Sequence, residues 1–126
     1  MFYTVSTEKS YAQAVDSLKQ GLASVKFGVL WELDVPSKLQ EKGADFNVPF
    51  RILEVCNPHH AKEALEQNIM VGYFLPCKAV VYEQGGQVQI GMARPSSMVG
   101  MLQDEALRNF AEQVEHELIR AIDSAR

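Results

Sequence analysis

Hydrophobic residues recur along this chain with two different spacings, which indicates a mixture of helices and strands. From Tyr11 to Val25 they fall every three or four residues, the spacing of one helical face, and Ser10 is placed to cap that helix. The same spacing returns from Gln103 to Ser124. The pattern therefore predicts one helix near the start of the chain and a long amphipathic helix at its end.

Five other segments have the composition or the alternation of β-strands. They are residues 1–6, 29–35, 50–56, 77–83 and 87–93. The last two flank Gln84-Gly85-Gly86, a connection typical of a β-hairpin. The order of strand, helix, several strands and helix predicts an α+β fold in which helices cover one face of a mostly antiparallel sheet. We expect a single domain over residues 1–126.

Composition and charge narrow the range of functions. The net charge is -4, so the sequence predicts no basic face and no nucleic-acid partner. No apolar run approaches the roughly 20 residues that span a bilayer, and residues 1–5 lack the features of a signal peptide. Two cysteines in an unexported protein are not a disulfide framework. These features predict a soluble cytoplasmic domain with no membrane partner.

The strongest candidate chemistry lies at two predicted strand ends. Cys56-Asn57-Pro58-His59-His60 follows one strand, and Leu75-Pro76-Cys77 precedes another. Thiolate and imidazole groups suit borderline or soft metals, so Cys56, His59 and Cys77 form a candidate site for zinc or a similar ion, with one position left for water. His60 points about 100° away from His59 around the helix, so we expect only one histidine to serve.

Two further interpretations of the cysteines stay open. Cys56 precedes a helix that Asn57 caps and Pro58 begins, and a helix N-terminus lowers the pKa of a nearby thiol. Cys56 is therefore also a candidate for a redox or nucleophilic enzyme, although Cys77 lacks the Cys-x-x-Cys spacing. Alternatively, both cysteines are small buried hydrophobic residues. The thiol and imidazole groups favour a soft cation or an electrophile over a neutral apolar ligand.

Several short motifs, in a fixed order, resemble one protein family. They are Phe27-Gly28-Val29, Glu32-Leu33-Asp34-Val35, Lys42-Gly43-Ala44-Asp45-Phe46, Arg51-Ile52-Leu53, Cys56-Asn57-Pro58 and Leu75-Pro76-Cys77. Over residues 1–100 the chain resembles the bacterial and archaeal family of the domain of unknown function 302. The resemblance implies a β-α-β(4)-α domain with a curved sheet like that of TATA-binding protein, a homodimer, and no particular activity. This chain has Arg94 where the family pattern has an acidic residue.

Three functions therefore remain open. The first is a module that binds a metal or a small ligand near Cys56, His59 and Cys77. The second is a thiol-dependent enzyme that uses Cys56. The third is a dimeric interaction domain without small-molecule chemistry.

Overall fold

The chain folds into five β-strands and five α-helices, with two short 3₁₀ helices between them. The computed structural model describes residues 1–126. The strands are β1 (Phe2–Thr7), β2 (Gly28–Asp34), β3 (Phe50–Cys56), β4 (Cys77–Gln84) and β5 (Gln87–Ala93). The α-helices are α1 (Tyr11–Ser24), α2 (Val35–Glu41), α3 (Pro58–Gln67), α4 (Pro95–Val99) and α5 (Glu105–Ala125). The 3₁₀ helices are Ile69–Phe74 and Gly100–Leu102.

The five strands form one open sheet in the order β1-β5-β4-β3-β2. Every neighbouring pair is antiparallel. The predicted α+β fold is therefore confirmed; α3 begins at Pro58 as expected, α2 is a further short helix between β2 and β3, and α4 is a short helix that was not predicted. Strands β1 and β2 are the two edges, and α1 connects one edge with the other.

Helices α1 and α5 cover one face of the sheet and make the main core. Leu18 and Leu22 of α1 meet Leu118 and Ile122 of α5 over the inward side chains of the strands, such as Leu53. Each of these side chains is at most 3% exposed. No helix in the structure is both long enough and apolar enough to cross a bilayer.

Local signals fix where most helices begin. Ser10 caps α1 through a reciprocal pair of hydrogen bonds with Gln13, and the Asn57 side chain accepts hydrogen bonds from the backbone N–H groups that open α3. Asp104 caps α5, so that helix begins at Glu105, two residues after the predicted start. The short helix α4 was not predicted, because the residue before it, Arg94, does not cap it.

The other face of the sheet is not covered by the long helices, and we call it the open face. Successive side chains of a strand point to opposite faces, and directly paired residues share a face. The open face therefore carries the side chains that alternate with the core residues along each strand. They include Phe2, Thr4 and Ser6 of β1, Trp31 and Leu33 of β2, Phe50, Ile52 and Glu54 of β3, Lys78, Val80 and Tyr82 of β4, and Gln89, Gly91 and Ala93 of β5. Its central rows are therefore largely apolar.

Candidate functional site

The sheet brings the two cysteines to the same rim. Cys77 opens β4 directly opposite Val55, and Cys56 is the next residue of β3. Both thiols are free and half-buried. The proximity expected from the strand boundaries is therefore present in the fold.

Beyond this rim lies an apolar cavity of about 130 Å³. Of its 21 lining residues, 16 are hydrophobic, so a neutral apolar group is the occupant that the walls favour. The cavity lies between the main core and a smaller hydrophobic cluster made by α3, the first 3₁₀ helix, α4 and α5.

Strand ends, helices and connecting segments together supply the walls of the cavity. The strand ends contribute Val55, Cys56 and Cys77, and the residue before β2 contributes Phe27. The remaining wall residues come from the helices and from the segment that precedes β4. They include Ala61 and Ala64 of α3, Val71, Phe74 and Leu75, Met98 and Val99 of α4, and Leu107, Phe110, Ala111 and Val114 of α5.

His60, and not His59, reaches the cavity. The imidazole Nε2 of His60 lies 2.7 Å from a carboxylate oxygen of Glu117 on α5. Its ring is 6.0 Å from the Phe27 ring and 5.6 Å from the Phe110 ring, measured between centroids. His59, by contrast, is exposed and is not part of the cavity wall. His60 thus joins α3 to α5 and is, with Asn57 and Lys78, one of the polar residues of a largely apolar wall.

This arrangement does not supply a preformed metal site. No group of three or more His, Cys, Asp or Glu side chains in the structure is arranged to hold a metal ion. Cys56 and Cys77 are neighbours, but the exposed His59 is not grouped with them. Zinc binding by Cys56, His59 and Cys77 therefore stays a prediction.

The environment of Cys77 favours the neutral thiol. Burial, assisted by the nearby charge of Cys56, raises the pKa of the Cys77 thiol to about 11. The expectation of a thiolate-preferring site is therefore wrong for this cysteine, because desolvation in the apolar wall disfavours its charged form. Cys77 contributes to the cavity as a small hydrophobic residue at neutral pH.

Alkylation tests the raised pKa of Cys77. In a Cys56→Ser variant at pH 8, we expect iodoacetamide to modify Cys77 roughly 100-fold more slowly in the folded protein than in guanidinium chloride, because only the thiolate reacts and the unfolded thiol has a pKa of about 8.5. The rate should keep rising with pH beyond pH 9. Folded and unfolded rates within threefold of each other at pH 8 would contradict the assignment.

A buried carboxylate fixes the helix that closes one side of the cavity. Glu115 of α5 is 7% exposed, and one of its oxygens accepts hydrogen bonds from the Ser96 backbone N–H at 3.1 Å and from the Ser96 hydroxyl at 2.7 Å. Its other oxygen lies 3.2 Å from the Arg94 guanidinium. Burial tends to raise the pKa of Glu115, but the bonds from Ser96 and Arg94 outweigh burial and hold the pKa below its ordinary value.

Sequence reasoning missed both of these polar contacts. Glu115 lies among charged residues on a helix with no local sign of burial, and its partners are about 20 residues earlier in the chain. The one available signal for α4 was Pro95, a residue suited to the first turn of a helix. For His60, helical spacing separated it from His59 but did not show which of the two faces the core.

The chain is similar to proteins for which no activity is described. Residues 3–125 match the family described as Domain of unknown function DUF302. The crystal structure of an uncharacterized conserved protein DUF302 from Bacillus stearothermophilus is 46% identical in sequence, with a TM-score of 0.96. The match covers 99% of this chain and 98% of that chain. No curated protein matches the sequence.

Proposed function

Because the chain belongs to the family of the domain of unknown function DUF302, whose description names no activity, we propose a function from the geometry of its cavity. The protein binds a small, neutral, largely apolar ligand between the ends of β3 and β4 and helices α3, α4 and α5. The observation that carries this proposal is the apolar lining of the 130 Å³ cavity at which Cys56, Cys77 and His60 meet.

The lining excludes most charged ligands on energetic grounds. Transferring a charge into apolar surroundings without a partner is strongly unfavourable, and the polar groups at the wall are already partnered: His60 contacts Glu117, and Lys78 contacts Glu54. An apolar cavity of roughly 150 Å³ in another protein takes up benzene or xenon. A cavity of about 130 Å³ therefore suits a ligand of about six to eight non-hydrogen atoms.

Toluene is a suitable probe for this site. With about 0.7 kcal/mol of binding free energy for each of its seven heavy atoms, we expect a Kd on the order of 0.1–1 mM. The measurement is an NMR titration that follows the methyl signals of Val71, Val99 and Leu107, which line the cavity. These signals should shift together and reach saturation.

A pair of alanine substitutions supplies the control. Ala61→Phe places a ring at the cavity wall and should weaken toluene binding by at least roughly tenfold, since the ring occupies the space of the ligand. Ala12→Phe adds the same ring on the exposed side of α1 and should leave the Kd unchanged. Absence of saturable shifts, or equal binding by the wild type and Ala61→Phe, would contradict the proposed function.

Zinc binding and thiol chemistry are the competing uses of the same rim. Metal titration of the wild type against Cys56→Ser and Cys77→Ser distinguishes them from apolar binding. Stoichiometric zinc binding that is lost in both variants would favour the metal-binding module over the apolar ligand. If a catalytic activity of the wild type were abolished by stoichiometric alkylation of Cys56, that result would favour the thiol-dependent enzyme.

We also propose that the chain forms a homodimer. Two features support it: the sheet ends in two edge strands, β1 and β2, and its open face carries aromatic and aliphatic side chains. Sedimentation equilibrium at tens of micromolar provides the test, and a monomer at that concentration would exclude the homodimer.

A further inference from the structure

The open face has the composition of a protein interface. Its centre holds Ile52 opposite Val80, and Phe50 stacked on Tyr82 with 5.2 Å between ring centroids. At one end, the Trp31 side chain is 49% exposed. Aromatic and aliphatic groups in one continuous surface, with few charges, are typical of the buried centre of protein–protein contacts.

The charges on this face cancel. Glu54 and Lys78 are opposite each other in the register, with 3.8 Å between the carboxylate and the ammonium group. They are the only charged side chains that the alternation places on the open face. The whole chain, in contrast, has a net charge of -4. An uncharged face is the part of this molecule against which an identical copy can dock without like-charge repulsion, whereas a nucleic acid would need unpaired cations there.

The size of the face fits a second copy. Five strands about 4.8 Å apart and about six residues long give roughly 24 by 20 Å, or about 500 Å² before the relief of the side chains is counted. A standard interface buries about 800 Å² on each partner. Side chains that rise from this plane, such as the exposed Phe2 and Trp31 at its two edges, bring the accessible area toward that value. The interface therefore requires most of the open face, including its centre.

We propose that two copies of this chain associate through their open faces, sheet against sheet, and not through their edge strands. This inference rests on the proposed homodimer and assigns its surface. Ile52 and Val80 then lie near the centre of the interface, and Trp31 becomes buried at its margin. Most of the cavity wall comes from the helices on the other side of each sheet, and Lys78 and Ala93, at the rim, belong to both surfaces.

Trp31 reports on this association, because it is the only tryptophan in the chain. Sedimentation equilibrium and acrylamide quenching of tryptophan fluorescence, both measured from 1 to about 100 µM, follow assembly and the exposure of Trp31 together. We expect a dimer at the upper end, with quenching that becomes more efficient on dilution as the dimer dissociates.

Two lysine substitutions identify the surface. Ile52→Lys places a charge at the centre of the open face of both copies and should raise the dimer Kd at least roughly 100-fold, with Trp31 quenched as in the diluted wild type. Ile69→Lys changes an equally apolar residue that is 73% exposed near the cavity, and it should leave the Kd unchanged. Thermal melts confirm that each variant is folded.

Each other outcome overturns the inference in a distinguishable way. A monomeric wild type at 100 µM removes the homodimer and this interface together. A wild-type dimer whose Trp31 quenching does not change with concentration leaves the homodimer but excludes the open face, even if Ile52→Lys fails to fold. If Ile52→Lys still forms a dimer with the wild-type Kd, the homodimer stands but the open face is again excluded as its interface. A monomer whose Trp31 emission shifts to shorter wavelength with phosphatidylcholine vesicles would assign the face to a lipid surface instead.

Discussion

Replacing Glu115 with glutamine should lower the free energy of unfolding by about 2 kcal/mol at pH 7, which corresponds to a fall in Tm of about 8 °C for a domain of this size. The carboxylate is buried and accepts hydrogen bonds from Ser96 and Arg94. Glutamine keeps one acceptor oxygen but loses the charge and presents an N–H₂ group to one of these donors. Hydrogen bonds to a charged group contribute more than neutral ones, so the loss is large for a conservative change.

The effect should depend on pH in a direction set by the pKa of Glu115. Folding lowers this pKa below its unfolded value of about 4.3, so the carboxylate stabilises the fold above about pH 5 and this contribution is lost as the pH falls through the folded pKa. The difference in Tm between the wild type and Glu115→Gln should therefore shrink below about pH 4.

Glu112→Gln provides the matched control one turn earlier on the same helix. Glu112 is exposed, and its carboxylate lies 3.7 Å from Arg108, an arrangement that contributes less than about 0.5 kcal/mol. Its substitution should leave Tm almost unchanged at every pH. A Glu115→Gln variant as stable as Glu112→Gln at pH 7 would show that the contact between α5 and Ser96 does not stabilise α4.

Replacing Gly21 with alanine should destabilise the protein by about 2 kcal/mol, although alanine is the better helix former by about 1 kcal/mol. A Cβ atom at this position would lie 2.6 Å from the backbone carbonyl oxygen of Ala121 and 2.7 Å from the Ser124 hydroxyl. The carbonyl belongs to α5, so relief requires the two core helices to separate. Chemical denaturation with a linear extrapolation measures the change.

Gly100→Ala is the control for the glycine effect. Nothing lies within 4 Å of a Cβ built at Gly100, and its backbone has a helical conformation. Its substitution should be neutral or slightly stabilising. If Gly21→Ala were equally neutral, α1 and α5 would have to be packed less closely than the structure shows.

Local chemistry accounts for the elements that the sequence predicted. The Asn57 cap and Pro58 at the first helical position define the start of α3 without reference to the rest of the fold, and the Gly85-Gly86 turn does the same for the β4–β5 hairpin. The α+β arrangement followed from the order of such segments. Helix α4 was missed because the Ser96 N–H, near its start, is satisfied by Glu115, a residue far along the chain.

The location of the two cysteines was predictable from the sequence, but the apolar surroundings of the candidate site were not. The strand ends located Cys56 and Cys77 correctly, because residues next to strand boundaries meet at one rim of a sheet. The cavity needs helices from distant parts of the chain, and its apolar walls reverse the expected ionisation of Cys77. Burial is a property of the assembled fold, so neither the cavity nor the choice of His60 over His59 was visible from local spacing.

The strand order also determines the sequence in which the strands can pair during folding. Strands β3, β4 and β5 are consecutive in both the sequence and the sheet, and β4 and β5 are joined by a two-residue turn, so these strands can pair early. Strand β1 pairs with β5, for example Phe2 with Ala93, and that contact closes a loop of most of the chain. Because such closure is entropically slow, the first strand joins the sheet late, and until then β5 presents an unpaired edge to neighbouring molecules. Folding at high concentration is consequently the step at which this protein is most exposed to aggregation.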